Sequence, residues 1–426
     1  MINKLNRLRF LYDDLPAYVW HIRNFRFKRL YNHIWCRLNV RDVGGGMLDQ
    51  VYKVFPGLLG IPREVEFEIT TRCGLRCLMC EHTHWDHTSY AKQDITFEEI
   101  IQIHKNWPQL RYVGIQGMGN PFLNKSFRKI VEYFSDNNIF INIVENFCEV
   151  TDDDMHTIVK HVDRIDLSLD ASYKELYEEI RPGSNFENVE KNLLRAIELK
   201  KKLGSPYPSF FVRVVAFNKN YHDLPNIIRM VGRLNLNNGG QINIEISGLL
   251  VFEKIKHLIG EGIEAPQDVI DKCVEAKNEF GNLIRLSFRR SKENPPVSKC
   301  AKWVQPFVMA NGDLVLDCGV MMSDNRKKLH TETFGNIKEF SIKDIWNSNT
   351  YTEIRKAINK KSGPIPEICN ECRSFDSENR ASKYGIIKTD LNEVFNFQST
   401  QTSEVINSLN QQPRLKKIYI KEHINN

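Results

Sequence analysis

From Val65 the chain settles into a regular alternation of short apolar runs and longer amphipathic stretches. The runs read as strands at Val65–Ile69, Tyr112–Gln116, Ile139–Val144, Arg164–Leu169, Ser209–Phe217 and Gln241–Ile246. Between them lie helices with identifiable ends. Thr96-Phe-Glu-Glu99 is a capping box that opens the first. Ser126–Asp136 is the second, and Thr151-Asp-Asp-Asp154 begins the third. Glu187–Leu203 stops at Gly204, a good C-cap, and Leu224–Leu234 fills the gap before the last strand. Six successive strand–helix units predict an α/β fold with a parallel sheet and helices outside it. Periodicity does not say whether that sheet is flat or curled into a barrel. In either form, sites lie at the carboxyl ends of strands.

The pattern weakens on both flanks. Residues 1–60 form a basic, aromatic, helical-looking extension. Up to Arg41 it carries nine Lys or Arg against Asp13 and Asp14, interleaved with Phe10, Tyr12, Tyr18, Trp20, Phe25, Phe27, Tyr31 and Trp35. Such a mixture suits a membrane-surface helix or a nucleic-acid or peptide contact. The plainer reading, preferred here, is an appendage packing its aromatics against the catalytic domain with Arg heads in solvent. Gly44-Gly45-Gly46 reads as a flexible break. After Ile246 the alternation stops. A helix at Gln267–Phe280 and a short strand at Ile284–Phe288 occupy a connecting segment. The expected division is 1–60 extension, 61–250 core, 251–298 connector, 299–375 cysteine-bearing unit and 376–426 tail. The tail, rich in Asn, Gln, Ser and Thr, is expected to be partly disordered apart from a helix signal near Asp390–Phe395.

Composition changes this picture little. At 426 residues there is room for two or three domains, and 41% hydrophobic with 26% charged residues is ordinary for a soluble globular protein. A net charge of +6 is mild, so no nucleic-acid partner is expected. No apolar run is long enough to span a bilayer, and the amino terminus lacks the apolar core of a secretory signal. Of ten cysteines, seven fall into two ligand-like groups, which points to a reducing, cytoplasmic compartment. Cys36, Cys148 and Cys273 fit neither group and read as buried structural cysteines.

The first group is Cys73-Gly-Leu-Arg-Cys77-Leu-Met-Cys80, directly after the first strand. Three thiols in so short a loop can each take a different iron of an iron–sulfur cube, leaving the fourth iron open to another molecule. Structural zinc closes with four ligands, and His82, His84 and His87 stand nearby as candidates for a fourth, so counting alone leaves zinc open. The stretch "EITTRCGLRCLMC" resembles the signature of the radical S-adenosylmethionine (radical SAM) superfamily, a strand followed by Cys-x3-Cys-x2-Cys. The resemblance implies a curled, partial (β/α)6 barrel. It further implies that Cys73, Cys77 and Cys80 hold a 4Fe–4S cluster whose open iron binds S-adenosylmethionine.

The second group is Cys300, Cys318, Cys369 and Cys372. Asn311-Gly312 between the first two is a type I′ hairpin signal. Four thiolates suit zinc or one cluster, and spacing does not choose. The segment resembles the SPASM or twitch extension of many radical SAM proteins, with "GNI", "IW" and the closing Cys-x2-Cys present. No cysteine follows Cys372, so the short twitch-like form with a single auxiliary cluster, of 4Fe–4S type as the resemblance implies, is the better match.

The resemblance implies roles for further residues. Gly117, Met118, Gly119 and Asn120 occupy the loop that, in the family, ends in Glu-Pro and grips the cofactor's amino group; here Asn120 stands in the place of the glutamate. Asn146 matches the asparagine of the family's Thr-Asn-Gly. Ser168 and Arg181 would hold the cofactor's ribose or carboxylate, with Asp170 either a ligand or a turn residue. Met79 sits where the family has an adenine-contacting aromatic. No catalytic acid or base stands out. The implied enzyme cleaves S-adenosylmethionine reductively to a 5′-deoxyadenosyl radical that abstracts hydrogen from substrate. The expected net reaction is a two-electron oxidation of a small polar molecule such as a sugar or cyclitol, with flavodoxin or ferredoxin as electron donor. The alternatives are a peptide maturase and a non-catalytic metal-binding interaction protein.

Overall fold

The computed structural model describes residues 14–40, 60–85, 93–238, 242–249, 253–258, 265–289, 304–316, 333–360, 362–369 and 377–387. Two helices come first, α1 (Leu15–Arg23) and α2 (Phe27–Asn39). The strands β1 (Glu64–Phe67), β2 (Tyr112–Ile115), β3 (Phe140–Glu145), β4 (Arg164–Ser168), β5 (Ser209–Ala216) and β6 (Ile242–Gly248) then pair in sequence order, each parallel to the last. Between them run α3 (Phe97–Asn106), α4 (Phe127–Asp136), α5 (Asp152–His161), α6 (Lys174–Ile180), α7 (Phe186–Lys202) and α8 (Leu224–Asn238). Thr96 and Thr151 each close a full capping box, and Gly204, with φ of +58°, ends α7.

Alternate strand residues separate the two faces. Val65, Phe67, Val113, Ile141 and Ile165 belong to one large core with Ile100 of α3, Ile130 and Phe134 of α4, and Ile158 of α5. The opposite face carries Glu66, Asn142 and Arg164, then Glu68, Asp166 and Asn243, then Ser168, Arg213 and Glu245 (read along the strands). Asp166 is fully buried and balanced by Arg164, at 2.8 Å, and Arg213, at 3.0 Å, with Asn142 donating to it at 3.0 Å. A parallel sheet covered by helices on both faces would read as continuous apolar strands. Here one face is charged, as suits the inside of a partial barrel.

Two expectations for the second half need correction. The alternation continues past Ile246: α9 (Gln267–Asn278) leads into β7 (Leu286–Arg289), which adds to β6 as a further parallel strand. On the other edge β8 (Phe307–Val308) pairs parallel with β1 and turns back into β9 (Leu314–Val315). The sheet order is therefore β7-β6-β5-β4-β3-β2-β1-β8-β9, and the cysteine-bearing unit shares it with the core. The hairpin is real, but its turn is not type I′. Gly312 alone takes a left-handed φ (+92°), Gly312 N–H donates to Met309 O, and Met309 N–H donates to Asp313 O. This is a three-residue connection with a glycine bulge, the next most common hairpin form. The Gly44–Gly46 break and the helix signal at Asp390–Phe395 lie outside the described residues.

The amino-terminal helices divide their aromatics: Trp20 meets Tyr207 edge-on and Trp35 packs beside Tyr112 and Phe140, as expected of an appendage on the core, but others face outward. Phe25, Phe27 and Tyr31 are exposed, while Arg29, Asn32 and His33 are buried. Arg29 donates to Ser135 O, His161 O and Asp163, and Asn32 Nδ2 donates to Arg111 O and Asn138 O. These acceptors lie just before β2, β3 and β4, so α2 caps the amino ends of the strands by satisfying backbone carbonyls there. A second polar chain runs from His21 through the Tyr207 hydroxyl to His33 and Asp14.

Burial lowers the pKa of His21 from 6.5 to about 3, so it stays neutral in the fold and takes up a proton on unfolding between those values. Stability therefore falls as pH drops from 6.5 toward 3. His21→Gln is expected to flatten that limb by close to one proton in denaturant titrations across the range, with a smaller change above pH 7.

Candidate active site

Beyond β1 the chain runs extended to Arg72 and then folds into the Cys73–Cys80 loop. Backbone bonds pin that loop on one side: Arg76 N–H donates to Pro182 O at 2.9 Å and Leu78 N–H to Ile180 O at 3.0 Å. On the other side, Asn120 N–H donates to Arg72 O at 2.7 Å. The Gly117–Gly119 segment is pressed against the same strand exit. A methyl group on Gly119 would stand 2.1 Å from Thr70 O, and one on Gly117, whose φ is +150°, 2.8 Å from the Glu68 side chain. Glycine is required there by space as well as by conformation.

Burial pushes the Cys73 thiol up to about 11 and Cys80 up to about 12, with the neighbouring thiols adding to each. Cys77 is also raised by burial, against the pull of the Arg181 guanidinium, whose Nη1 lies 3.7 Å from its sulfur. Three such thiolates crowded in one half-buried loop need a strongly cationic partner, and a three-thiol loop fits an iron–sulfur cube. Among the described residues no three His, Cys, Asp or Glu side chains close on a single metal-ion position; a cube, which takes one thiolate per iron, does not need that convergence. His82 and His84 each lie within hydrogen-bond distance of a backbone carbonyl, Thr71 O and Leu78 O. His87 lies outside the described residues.

The other sequence-derived positions converge on this loop to different degrees. Arg181 is held by Asp170, through Nε at 2.7 Å; the second Asp170 oxygen accepts from Val215 N–H at 2.8 Å, so protein donors meet both oxygens. Asn120 is buried; its Oδ1 caps Phe122 N–H and its Nδ2 donates to Glu149 at 3.2 Å. Asn146 is buried and turns its Oδ1 onto Cys148 N–H. Ser168 ends β4, beside Arg213 of β5, and Met118 N–H donates to Glu68. Met79 is half-buried and packs against the main core. Of the second cysteine group, Cys369 is buried, and Cys300, Cys318 and Cys372 lie outside the described residues.

Several groups here escaped the sequence reading. Glu145, beside Asn146, is pushed up to about 7 by burial, offset in part by the Asn146 N–H and Arg181, and its Oε1 has no hydrogen-bond partner. Glu149 contacts Asn120 and faces Gly74, which returns a negative charge to the place where residue 120 lacks one. Arg213 bridges Asp166 and Glu245 inside the barrel. The signal for Asp166, Arg213 and Glu245 lies in "RIDLS", "FVRVV" and "NIEIS", where charged side chains interrupt otherwise apolar strands at positions of one face.

A fold of this topology with a three-cysteine loop after its first strand defines a cluster-bearing partial barrel. The chain matches the family model described as Radical SAM superfamily over residues 67–231, and that described as an iron–sulfur cluster-binding domain, SPASM, over residues 300–373. It belongs to the radical SAM superfamily and carries a C-terminal SPASM domain. It is accordingly an enzyme that uses a 4Fe–4S cluster and S-adenosylmethionine, with further iron–sulfur binding in the SPASM domain. The tungsten-containing aldehyde ferredoxin oxidoreductase cofactor-modifying protein of Pyrococcus furiosus is 26% identical over 324 residues, 73% of this chain and 87% of that protein. A probable GTP 3′,8-cyclase of Methanocaldococcus jannaschii is 28% identical over 175 residues, 39% of this chain and 54% of the cyclase. Among solved structures, Streptococcus suis SuiB bound to S-adenosylmethionine has a TM-score of 0.56 at 12% identity, covering 84% of this chain and 82% of SuiB. The anSMEcpe structure with bound AdoMet has a TM-score of 0.50 at 17% identity, covering 82% of this chain and 96% of that one. Among the described residues, no helix is long and apolar enough to cross a membrane.

Gly119→Ala is expected to displace the loop from Thr70 and to weaken S-adenosylmethionine binding by roughly tenfold or more, since the added methyl meets backbone that cannot swing aside. Equilibrium binding to the reconstituted protein, with iron content as the folding control, measures it.

Proposed function

We propose that this enzyme carries out a two-electron oxidation of a small polar molecule of the sugar or cyclitol kind. The observation that supports this reading is the row Ser168, Arg213, Glu245 and Ser287 on neighbouring strands β4 to β7. Along β5 the positions on this face, Phe211, Arg213 and Val215, are half-exposed while those between them are buried. The barrel interior is thus open along β5, and the row through Arg213 brings hydroxyl, guanidinium and carboxylate groups together, Glu245 being buried behind the guanidinium. Such a row suits a ligand with several hydroxyls, each needing a donor or an acceptor.

In this reading Cys73, Cys77 and Cys80 hold the 4Fe–4S cluster. When bound, cluster and S-adenosylmethionine together supply the reductive carbon–sulfur cleavage and the hydrogen-abstracting 5′-deoxyadenosyl radical. Arg181, fixed by Asp170, offers a guanidinium for the cofactor's carboxylate or ribose. Asn120, backed by Glu149, would offer its amide oxygen to the amino group, with Gly117, Met118 and Gly119 as the close backbone wall. Asn146, Ser168 and Met79 complete the cofactor contacts. Cys300, Cys318, Cys369 and Cys372 hold one auxiliary cluster, which supplies an acceptor for the second electron. A flavodoxin or ferredoxin in a reducing, cytoplasmic compartment serves as donor. A peptide substrate is the second reading, favoured by the likeness in fold to SuiB bound to its precursor peptide SuiA, with a TM-score of 0.53.

The test begins with iron and sulfide analysis of anaerobically reconstituted protein. About eight irons per chain, falling to about four in the Cys73→Ala/Cys77→Ala/Cys80→Ala variant, are expected. About four irons plus one zinc would instead make the second site structural. Deuterated polyols and deuterated peptides are then compared for label appearing in 5′-deoxyadenosine. Transfer from a polyol is expected, with Arg213→Ala raising KM roughly tenfold or more while S-adenosylmethionine binding is kept. Transfer from peptides alone would overturn the oxidation reading.

A further inference from the structure

The α1–α2 hairpin meets the barrel largely through polar groups, with Trp35 and Cys36 packed beside them, and leaves a set of apolar residues in solvent. Leu15, Val19 and Ile22, spaced four and three residues apart, form an exposed stripe on α1. The stripe runs into the inter-helix turn at Phe25, 81% exposed, and on to Phe27 and Tyr31 of α2. These six account for six of the fifteen large apolar residues exposed among the described residues, gathered within seventeen positions. Phe25 also holds a left-handed backbone, with φ of +54°. A bulky residue gains nothing from that conformation, and glycine or asparagine would adopt it at lower cost. That left-handed residue closes the C-terminus of α1, where Arg26 N–H donates to His21 O at 2.9 Å, and its ring is carried out into solvent.

Basic groups surround this ridge. Arg23, Arg26 and Lys28 are exposed beside it. A cleft of about 590 Å³ opens between the turn and the ends of α4 and α5, lined by Phe25, Arg26, Phe27, Lys28, Arg29 and Lys160 along with Asp136, Asn138, Ser135 and His161. Arg29 is neutralised by Asp163, and burial lowers the pKa of His161, so Arg26, Lys28 and Lys160 against Asp136 leave the cleft net positive. We propose that this face docks on an anionic phospholipid surface, the apolar ridge entering the headgroup–acyl boundary and the cleft receiving a lipid phosphate.

Charge complementarity selects this occupant. A second copy of the chain would bring one basic rim against another, and like charges oppose that pairing. Nucleic acid would use the basic rim but leave the aliphatic stripe of α1 without a role, since stacking needs aromatic planes. Placement agrees as well. The hairpin is anchored at the amino ends of the strands, whereas the cysteine loop follows the carboxyl end of β1, so a docked molecule keeps its candidate active site turned away from the bilayer.

The experiment is co-sedimentation of the full-length, anaerobically reconstituted protein with phosphatidylcholine vesicles, with and without phosphatidylglycerol, at low and high salt. Binding is expected only with phosphatidylglycerol and should weaken at high salt. Phe25→Ser/Phe27→Ser should abolish it. Arg26→Glu/Lys28→Glu should reduce partitioning roughly fivefold or more per reversed charge. Leu236→Ser, an exposed apolar residue elsewhere, should bind as the parent does. Circular dichroism and iron content establish that each variant is folded. Three results would overturn the proposal: no pelleting of the parent with anionic vesicles, pelleting indifferent to the paired substitutions, or self-association or RNA binding that these substitutions remove while vesicles go unbound. None of these outcomes bears on the reading of the barrel interior.

Discussion

Gly119 stands so close to the Thr70 carbonyl that a single methyl group would fall 2.1 Å from its oxygen. That approach lets the loop after β2 lie along the exit of β1, where Asn120 bonds back to Arg72. The cysteine loop is thereby held between this segment and the Ile180–Pro182 backbone. Arg181, one residue away, comes to rest beside the Cys77 sulfur. Three loops from three different strands meet here only because backbone touches backbone. A side chain at either glycine would separate them, and the thiols would lose the setting that a cluster needs.

Beneath the site the barrel interior is charged, which is costly unless every charge is met. Asp166 is fully buried, yet Arg164 and Arg213 hold its carboxyl below the usual range in spite of that burial. The same Arg213 reaches Glu245, so one guanidinium links the deep balance to the open wall. An interior built this way is rigid at its base and available at its mouth. The opposite end of the sheet is closed differently. There α2 supplies Arg29 and Asn32 to backbone carbonyls, and a set of the hairpin's apolar residues is left pointing outward.

Much of the architecture was legible in advance because its signals are local. Capping at Thr96 and Thr151, the stop at Gly204 and the alternation of apolar runs each depend on neighbours a few residues away. The amino-terminal aromatics are only half legible for the same reason: Trp20 and Trp35 pack inward, Phe25, Phe27 and Tyr31 do not. Composition cannot tell which face of an amphipathic helix meets protein when the partner offers carbonyl oxygens instead of an apolar groove. Strand β7 was seen as a strand but not as a member of the sheet, since membership depends on pairing with β6 across a helix. Glu145 and Glu149 carried no motif of their own; their importance arises from burial and from a contact to residue 120 made through the fold.

The sequence by itself determined the strand–helix order, the cysteine spacing and hence the superfamily, because each rests on chemistry repeated at short range along the chain. Tertiary structure decided the rest: which charges share the barrel interior, that Asn120 is backed by a carboxylate from another strand's loop, and which apolar residues of the first helices are left in solvent. Those are matters of distance between residues far apart in the chain, and distance is set only when the whole sheet is assembled.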